Sequence, residues 1–214
     1  MDFIARGLML SIEITLIGVL GGLALGILAS IGDLYGNKPT RVLVNCYVEF
    51  FRGSPLIVQL FLFYFTIPAL LNIPIDAFTA GCLTFILNSG AYQKGYIKGA
   101  MEAVFKDQML AALSLGLTKY QILRYVIVPQ ALRIVIPAWT NELCSLAKST
   151  SALIVIGVSE LLTTGYSIAS QTFRPLETFA FIALLYFIWI YCMLKFLDLV
   201  YERVKIPGLE AAIT

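Results

Sequence analysis

The segment QMLAALSLGLTKYQILRYVIVPQALR, residues Gln108–Arg133, is a short, basic and amphipathic island between long apolar runs. It is too small to be a catalytic domain, yet it carries a pair of alanines, a glycine and a proline spaced along its length. Because most of the remaining chain is apolar, this island is the part that a water-soluble partner can reach. The pattern predicts a membrane protein that is operated from one side through a loop.

The composition places the chain among membrane proteins. Of its 214 residues, 59% are hydrophobic and only 13% are charged, and the mean hydropathy is +0.87. Soluble domains contain about 45–50% apolar and about 25% charged residues. We therefore expect an all-α, polytopic membrane protein with a single domain over residues 1–214. The net charge of +2 is too small to indicate a nucleic-acid partner.

Five apolar runs are long enough to cross a membrane, which takes about 20 residues. These predicted spans are residues 8–31, 42–71, 77–101, 134–158 and 178–199, with a polar loop at 102–133. Eleven of the fifteen Lys and Arg residues lie on the side of that loop, whereas Arg6 and Arg174 lie on the other. Positive residues favour the cytoplasmic side. We therefore expect a cytoplasmic loop and C-terminus, with the N-terminus outside.

The loop resembles the ATPase-docking "EAA" loop in permease subunits of ABC importers. Ala111-Ala112, Gly116 and Pro129 carry this resemblance. Further segments, in the family's order, resemble its polar amino acid uptake branch, so that the likeness extends over nearly the whole chain. These segments are Val48–Tyr64, Leu87–Val104, Val128–Leu153 and Ile156–Leu162. The resemblance implies a type I importer permease fold with five transmembrane helices.

One position of the docking loop departs from the family pattern. Leu110 stands where the family usually has Glu before the two alanines, and Asp107 is a candidate substitute for that charge. Docking through apolar burial would tolerate the change. A partner ATPase with a matching change, or weakened coupling, is the alternative. The residues predicted to dock the ATPase are Asp107, Leu110, Ala111, Ala112, Gly116 and Pro129.

The family resemblance also implies the partners. It predicts two cytoplasmic ABC ATPases, a second permease subunit (the same or a related chain), an extracytoplasmic amino acid-binding protein and surrounding lipid, in the cytoplasmic (inner) membrane of a prokaryote. The chain lacks a GxxxxGK[ST] phosphate-binding loop, so ATP and Mg²⁺ are expected in the partner ATPase. With no His in the chain and no nucleophile elbow, we expect no catalytic residue, metal site or bound cofactor here.

Polar residues within the apolar runs are candidates for a substrate path, since such residues are costly in a bilayer. Two interruptions stand out, and each has a structural alternative. The first, at Arg52-Gly53-Ser54, breaks an apolar run and could be a plain kink in which Arg52 pairs with Glu49. The second, at residues 88–92, could equally supply hydrogen bonds between helices. The candidates are Arg52, Gly53 and Ser54 in the first, and Asn88, Ser89 and Tyr92 in the second.

Charged residues in and after the fourth run complete the candidates. Lys148 is a path candidate whose role stays open, while Glu142 is expected to pair internally with Ser145 or Lys148. The family resemblance implies that Glu160 lies near the transport cavity, where a carboxylate would bind an ammonium group or a cationic side chain. A solvated loop charge or a hinge contact is the alternative for Glu160.

Two other functions compete with the importer. An ATPase-independent secondary carrier would leave the 108–129 loop unexplained, and internal inverted repeats, which many such carriers show, are not evident. A non-transporting membrane scaffold would leave the ordered helix breaks and polar clusters unexplained. The sequence therefore favours the transmembrane subunit of an ATP-driven importer for a polar, and in one reading cationic, amino acid.

Overall fold

The computed structural model describes residues 2–205, except for the side chains of residues 105–107. This part of the chain is helical almost throughout and contains no β-strand. The helices are α1 (Asp2–Tyr35), α2 (Lys38–Gly53), α3 (Leu56–Phe61), α4 (Ile67–Leu71), α5 (Ala77–Ser114), α6 (Lys119–Ile122), α7 (Val128–Ile134), α8 (Ile136–Ser149), α9 (Leu161–Thr172) and α10 (Pro175–Val204). The all-α prediction is confirmed.

The membrane-length helices match four of the predicted spans. By length and composition, α1 and α10 are each able to cross a membrane alone. Two bent pairs are able to do so when each pair is taken as one span: Lys38–Gly53 with Leu56–Leu71, and Lys119–Ile134 with Ile136–Ile156. The predicted third span lies in α5, which is long enough to cross a membrane but less apolar than α1 and α10. The number of five spans therefore stays a prediction.

The packing of α1 against α5 forms the centre of the molecule. Gly18, Gly22 and Gly26 form a stripe of small residues on α1. A Cβ atom added at any of them would lie 3.0 Å or less from an atom of a neighbouring residue, which is too close for ordinary van der Waals contact. A Cβ atom at Gly22 would lie 2.9 Å from Ser89 Cβ and 3.0 Å from the Gly90 nitrogen. Small residues permit such close approach of helices. This stripe therefore packs within the subunit.

Gly116 and Thr118 punctuate the segment Gln108–Arg133, so its sequence predicts two short helices, but the structure is different. Helix α5 continues without a break from Ala77 to Ser114, so Ala111 and Ala112 lie on its last turn. Asp76 begins this 38-residue helix by accepting hydrogen bonds from the backbone and the hydroxyl of Thr79, at 3.0 and 2.6 Å. These hydrogen bonds hold the pKa of Asp76 below its ordinary value. The prediction of a separate first helix is wrong, because nothing between residues 102 and 114 breaks the helix.

A π-helical turn, Leu123–Ile127, explains why Pro129 does not end the second half of the loop. A proline inside a regular α-helix clashes with the carbonyl group four residues earlier. Here the wider turn, closed by the hydrogen bond from the Val128 nitrogen to the Leu123 oxygen, precedes the proline, and the helix continues as α7. Leu62–Thr66 is a second π-helical turn, and it precedes Pro68 in the same way. The sequence alone predicts that Pro129 restricts the end of a helix that begins near Tyr120, and this prediction is wrong because the helix continues to Ile134.

Candidate functional site

A cavity of ≈510 Å³ lies between the start of α3, the middle of α5 and the inner face of α8. Of the predicted path residues, Ser54, Asn88 and Tyr92 line it. The wall is mainly polar and aromatic, and it unites residues that are up to 95 positions apart in the chain. The complete lining is Ser54, Pro55, Leu56, Asn88, Tyr92, Tyr96, Asn141, Glu142, Ser145, Leu146 and Ser149.

The bend between α2 and α3 shapes one side of this cavity. The two segments are inclined at 112°, and the fully buried side chain of Gln59 holds the bend. Gln59 Nε2 donates to the carbonyl oxygens of Phe51 (2.8 Å) and Ser54 (3.0 Å), which the break leaves without helical partners. Its Oε1 accepts a 3.0 Å hydrogen bond from Asn88 Nδ2. The bend and the cavity wall on α5 are thus one hydrogen-bonded unit.

Glu142 brings a carboxylate to the cavity wall. Its side chain is 6% exposed, and its Oε1 accepts a 2.8 Å hydrogen bond from Ser89 Oγ. The predicted pairing with Ser145 or Lys148 is wrong, because α8 directs Glu142 towards α5. The cavity wall therefore contains a buried carboxyl group that forms no ion pair with a described residue.

Arg52 does not line the cavity, but it lies next to Tyr92, which does. The guanidinium carbon is 5.3 Å from the centroid of the Tyr92 ring, a distance at which a cation is attracted to the ring face. The alternative proposed for Arg52, an ion pair with Glu49, is not among the ion pairs of the described residues. Gly53, the next residue, faces open space and does not line the cavity.

The end of α5, the turn that follows it and the start of α7 carry exposed residues that we call together the docking surface: Leu110, Ala111, Leu115 and Gly116, with Pro129 on α7. All five residues are exposed in this single chain, Leu110 by 75% and Leu115 by 80%. Exposed apolar patches commonly mark contacts with another protein. The Asp107 side chain lies outside the described ones.

The turn after α5 fixes the shape of the docking surface. Gly116 has φ +77°, and the Leu117 and Gly116 nitrogens donate to the oxygens of Ala112 and Leu113. Two such hydrogen bonds around a left-handed glycine form a Schellman motif, which ends a helix firmly. Ala112 is only 4% exposed and packs into the cluster around Met101 and Ile122, so its role is to support the docking surface from within.

A family model for binding-protein-dependent transport system inner membrane components matches residues 22–206. The chain belongs to this family. It is the transmembrane permease subunit of an ABC importer. The glutamine transport system permease protein GlnP of Escherichia coli (strain K12) is 37% identical to it, over 86% of this chain and 84% of GlnP. The arginine transport system permease protein ArtQ of Bacillus subtilis (strain 168) is 32% identical, over 94% and 91%.

Solved structures agree with the fold. A crystal structure of an amino acid ABC transporter with histidines matches this permease with a TM-score of 0.85 and 34% identity, over 94% of both chains. The methionine transporter MetNI in an inward-facing conformation matches with a TM-score of 0.81 and 20% identity, over 96% of this chain and 98% of that one. The fold is therefore that of a type I importer permease, as the sequence predicts.

Glu160 occupies a different place in the permease from the expected one. It is fully buried, caps α9 by accepting from the Thr163 nitrogen at 2.8 Å, and does not line the cavity. Tyr186 Oη and Ser11 Oγ donate to its Oε2 at 2.7 and 3.3 Å. The carboxylate thus joins α1, α9 and α10. The alternative of a solvated loop charge is wrong as well, because every approach to Glu160 is packed.

Lys148 also lies away from the cavity. It borders a separate, mostly apolar groove of ≈310 Å³ between α8, α9 and α10, together with Tyr186 and Ile182. No ion pair of the described residues includes Lys148. Residues 141 and 145 lie on the face of α8 that lines the cavity. Lys148, about one turn after residue 145, lies outside the cavity and borders the separate groove.

Sequence reasoning overlooked two buried glutamines that organise the site. Gln59 holds the bend, and Gln93 donates to the Val19 oxygen and to Ser89 Oγ, both at 2.9 Å. Each is a polar residue inside an otherwise apolar run, and polar residues at such positions signal function in membrane proteins. That signal was present in the sequence, but it does not reveal the partners of either glutamine.

Proposed function

We propose that this permease subunit passes a polar amino acid through the ≈510 Å³ cavity between α3, α5 and α8. The observation that carries the proposal is the pairing of a polar cavity with a carboxyl group, that of Glu142, which forms no ion pair with a described residue. Pockets for small ligands have volumes of about 300–1,000 Å³. Relatives named for glutamine and arginine transport support an amino acid as the substrate class.

The charges around the cavity suit an α-amino acid in its zwitterionic form. Glu142 supplies an acceptor for the ammonium group, and Arg52 supplies a positive charge beyond Tyr92 for the carboxylate. Asn88 and Ser145 add neutral hydrogen-bonding groups for a polar side chain. Opposite charges at separate points favour a zwitterion over a simple cation, because a simple cation would be repelled by Arg52.

Helix α5 couples this cavity to the ATPase. It carries Asn88 and Tyr92 on the cavity wall and Leu110 and Ala111 on the docking surface. The 23 residues between Asn88 and Ala111 span about 35 Å at 1.5 Å per residue. A displacement of the docking surface by the ATPase therefore moves the cavity wall through a single continuous helix. Leu110, in place of the usual Glu, contributes apolar burial to this contact.

The proposal also includes the remaining partners and the orientation in the membrane. The docking surface faces the cytoplasm, where a dimer of ABC ATPases binds ATP and Mg²⁺. The N-terminus lies outside and the C-terminus in the cytoplasm of a prokaryotic cell, as the distribution of Lys and Arg predicts. A second permease subunit, of the same or a related sequence, completes the path, and an extracytoplasmic binding protein delivers the amino acid.

The test is reconstitution of the permease with candidate ATPases and the cognate binding protein in liposomes. Uptake of radiolabelled glutamine and arginine is measured for the unaltered permease and for Glu142→Gln. The matched control is Glu177→Gln, the same change at an exposed carboxylate on α10. We expect ATP-dependent uptake that Glu142→Gln lowers at least about tenfold, as for loss of a charged hydrogen bond.

Each outcome of this experiment decides a separate part of the proposal. Uptake without any associated ATPase would show an independent carrier and overturn the coupling. ATP-dependent uptake that Glu142→Gln leaves unchanged would remove this carboxylate from substrate recognition. A preference for arginine over glutamine would assign a cationic substrate.

A further inference from the structure

The hydrogen bonds behind Glu142 form a relay of three buried side chains. Gln93 Nε2 donates to Ser89 Oγ at 2.9 Å, and Ser89 Oγ donates to Glu142 Oε1 at 2.8 Å. Gln93 is anchored in turn by the Val19 oxygen of α1, 2.9 Å from the same Nε2. Gln93 and Ser89 are both 0% exposed, so neither contacts the cavity directly. The relay connects α1, through α5, to a carboxylate on α8.

Like Ser11, which donates to Glu160 Oε2, Ser89 is a buried helical serine that donates to a carboxylate, and among the described residues it makes no hydrogen bond to its own helix backbone. Buried serine and threonine residues in helices normally donate to the carbonyl oxygen four residues earlier. Ser30 does so towards Gly26 at 2.7 Å, and Thr84, on the same helix as Ser89, does so towards Ala80 at 2.8 Å. Ser89 instead gives its only proton to Glu142.

Gln93 explains this difference. Its Nε2 approaches Ser89 Oγ from the next turn of α5 and uses one of the hydroxyl lone pairs. Because a hydroxyl has one proton and two acceptor positions, a donor on one side directs the proton to the other. The absence of a side chain at Gly22 permits this arrangement, since a Cβ atom there would lie 2.9 Å from both Gln93 Nε2 and Ser89 Cβ.

The position of Gln93 in the relay lowers the stability of the fold at one atom. Gln93 Oε1 is buried without a hydrogen-bond partner in the described part of the chain. A buried acceptor without a partner is unfavourable, and an apolar side chain of the same shape avoids that penalty. Gln93 therefore contributes more to the orientation of Ser89 than to the stability of the α1–α5 contact.

We propose that Gln93 and Ser89 are positioning residues, which direct a hydroxyl proton onto Glu142 and hold this carboxylate at the cavity wall as the acceptor for the substrate's ammonium group. The inference rests on the proposed function, because it assumes an amino acid in this cavity. It adds that recognition by α8 depends on a buried amide that anchors to α1. A displacement of α1 relative to α5 would then alter the orientation of Glu142.

The test measures binding of radiolabelled glutamine and arginine to the purified permease–ATPase complex. Ser89→Ala and Gln93→Met should each raise the Kd by about three- to tenfold, less than the loss of a direct hydrogen bond to a charged group, because both residues act on the substrate only through Glu142. Gln93→Glu, which keeps the shape but replaces the donor by an acceptor, should raise it at least as much. Ser30→Ala is the control, an identical change at an equally buried serine outside the relay.

A double-mutant cycle separates positioning from general damage. In the Glu142→Gln background, Ser89→Ala and Gln93→Met should add almost nothing, because the residue that they position no longer carries the charge. The thermal midpoint of Gln93→Met should equal or exceed that of the unaltered complex. Additive effects in the cycle, or a Kd for Ser30→Ala raised as much as for Ser89→Ala, would overturn the relay. Unaltered binding by Glu142→Gln would instead show that the proposed function misplaces the substrate.

Discussion

Replacement of Gly116 by alanine tests whether the turn of the docking surface needs a left-handed residue. Gly116 has φ +77°, and a Cβ atom there would have no neighbour within 4 Å. Gly99 provides a matched position, because a Cβ atom there also has no neighbour within 4 Å, while its backbone is helical. The two substitutions therefore differ in backbone conformation and not in available space.

The expected effects have opposite signs. An L-residue in the left-handed region costs about 1–2 kcal/mol, and alanine regains about 0.4–1 kcal/mol by restricting the unfolded chain. Gly116→Ala should therefore destabilise the permease by about 1 kcal/mol. Gly99→Ala, in a helix interior, should stabilise it by about 0.5–1 kcal/mol. For a protein of this size the thermal midpoint moves by about 2–4 °C per kcal/mol.

Thermal unfolding of the detergent-purified variants, followed by circular dichroism, measures this difference. ATPase activity of the reconstituted complexes is measured in parallel, and Gly116→Ala should lower substrate stimulation while Gly99→Ala leaves it intact. Midpoints that shift in the same direction for both variants would refute the reasoning, because available space would then outweigh backbone conformation.

Two further predictions concern the docking surface and the Glu160 network. Leu115→Ser should weaken ATPase binding about tenfold, since burial of a leucine side chain contributes about 1.5–3 kcal/mol; Leu176→Ser, at an equally exposed leucine on α10 (81% against 80%), is the control, and equal Kd values for the two variants would contradict a docking role. Tyr186→Phe removes the hydroxyl that donates to Glu160 at 2.7 Å and should lower stability by about 1–3 kcal/mol. Tyr191→Phe, at a half-exposed tyrosine on the same helix, should leave the thermal midpoint unchanged. If Tyr186→Phe has the same thermal midpoint as Tyr191→Phe, Glu160 is held in place without the Tyr186 hydroxyl.

The sequence alone determines the class of this protein and much of its architecture. Long apolar runs require helices, because a bilayer cannot satisfy an unpaired backbone. The Gly stripe on α1 and the break after Gly53 are likewise local signals, and the structure has a close helix contact at the first and a 112° bend at the second. The resemblance of the 108–129 loop identifies the family, because a docking loop is a contiguous surface that its own sequence encodes.

The candidate cavity, by contrast, is decided by tertiary structure. Ser89 and Glu142 are 53 residues apart, and Ser11 and Glu160 are 149 apart. No local pattern distinguishes a carboxylate on a cavity wall from one that caps a helix, because both are acidic residues at the edge of an apolar run. The rotation of α8 and the position at which α9 begins turn Glu142 into the cavity and Glu160 away from it. Those two features depend on the packing of α1, α5 and α10, which only the folded chain brings together.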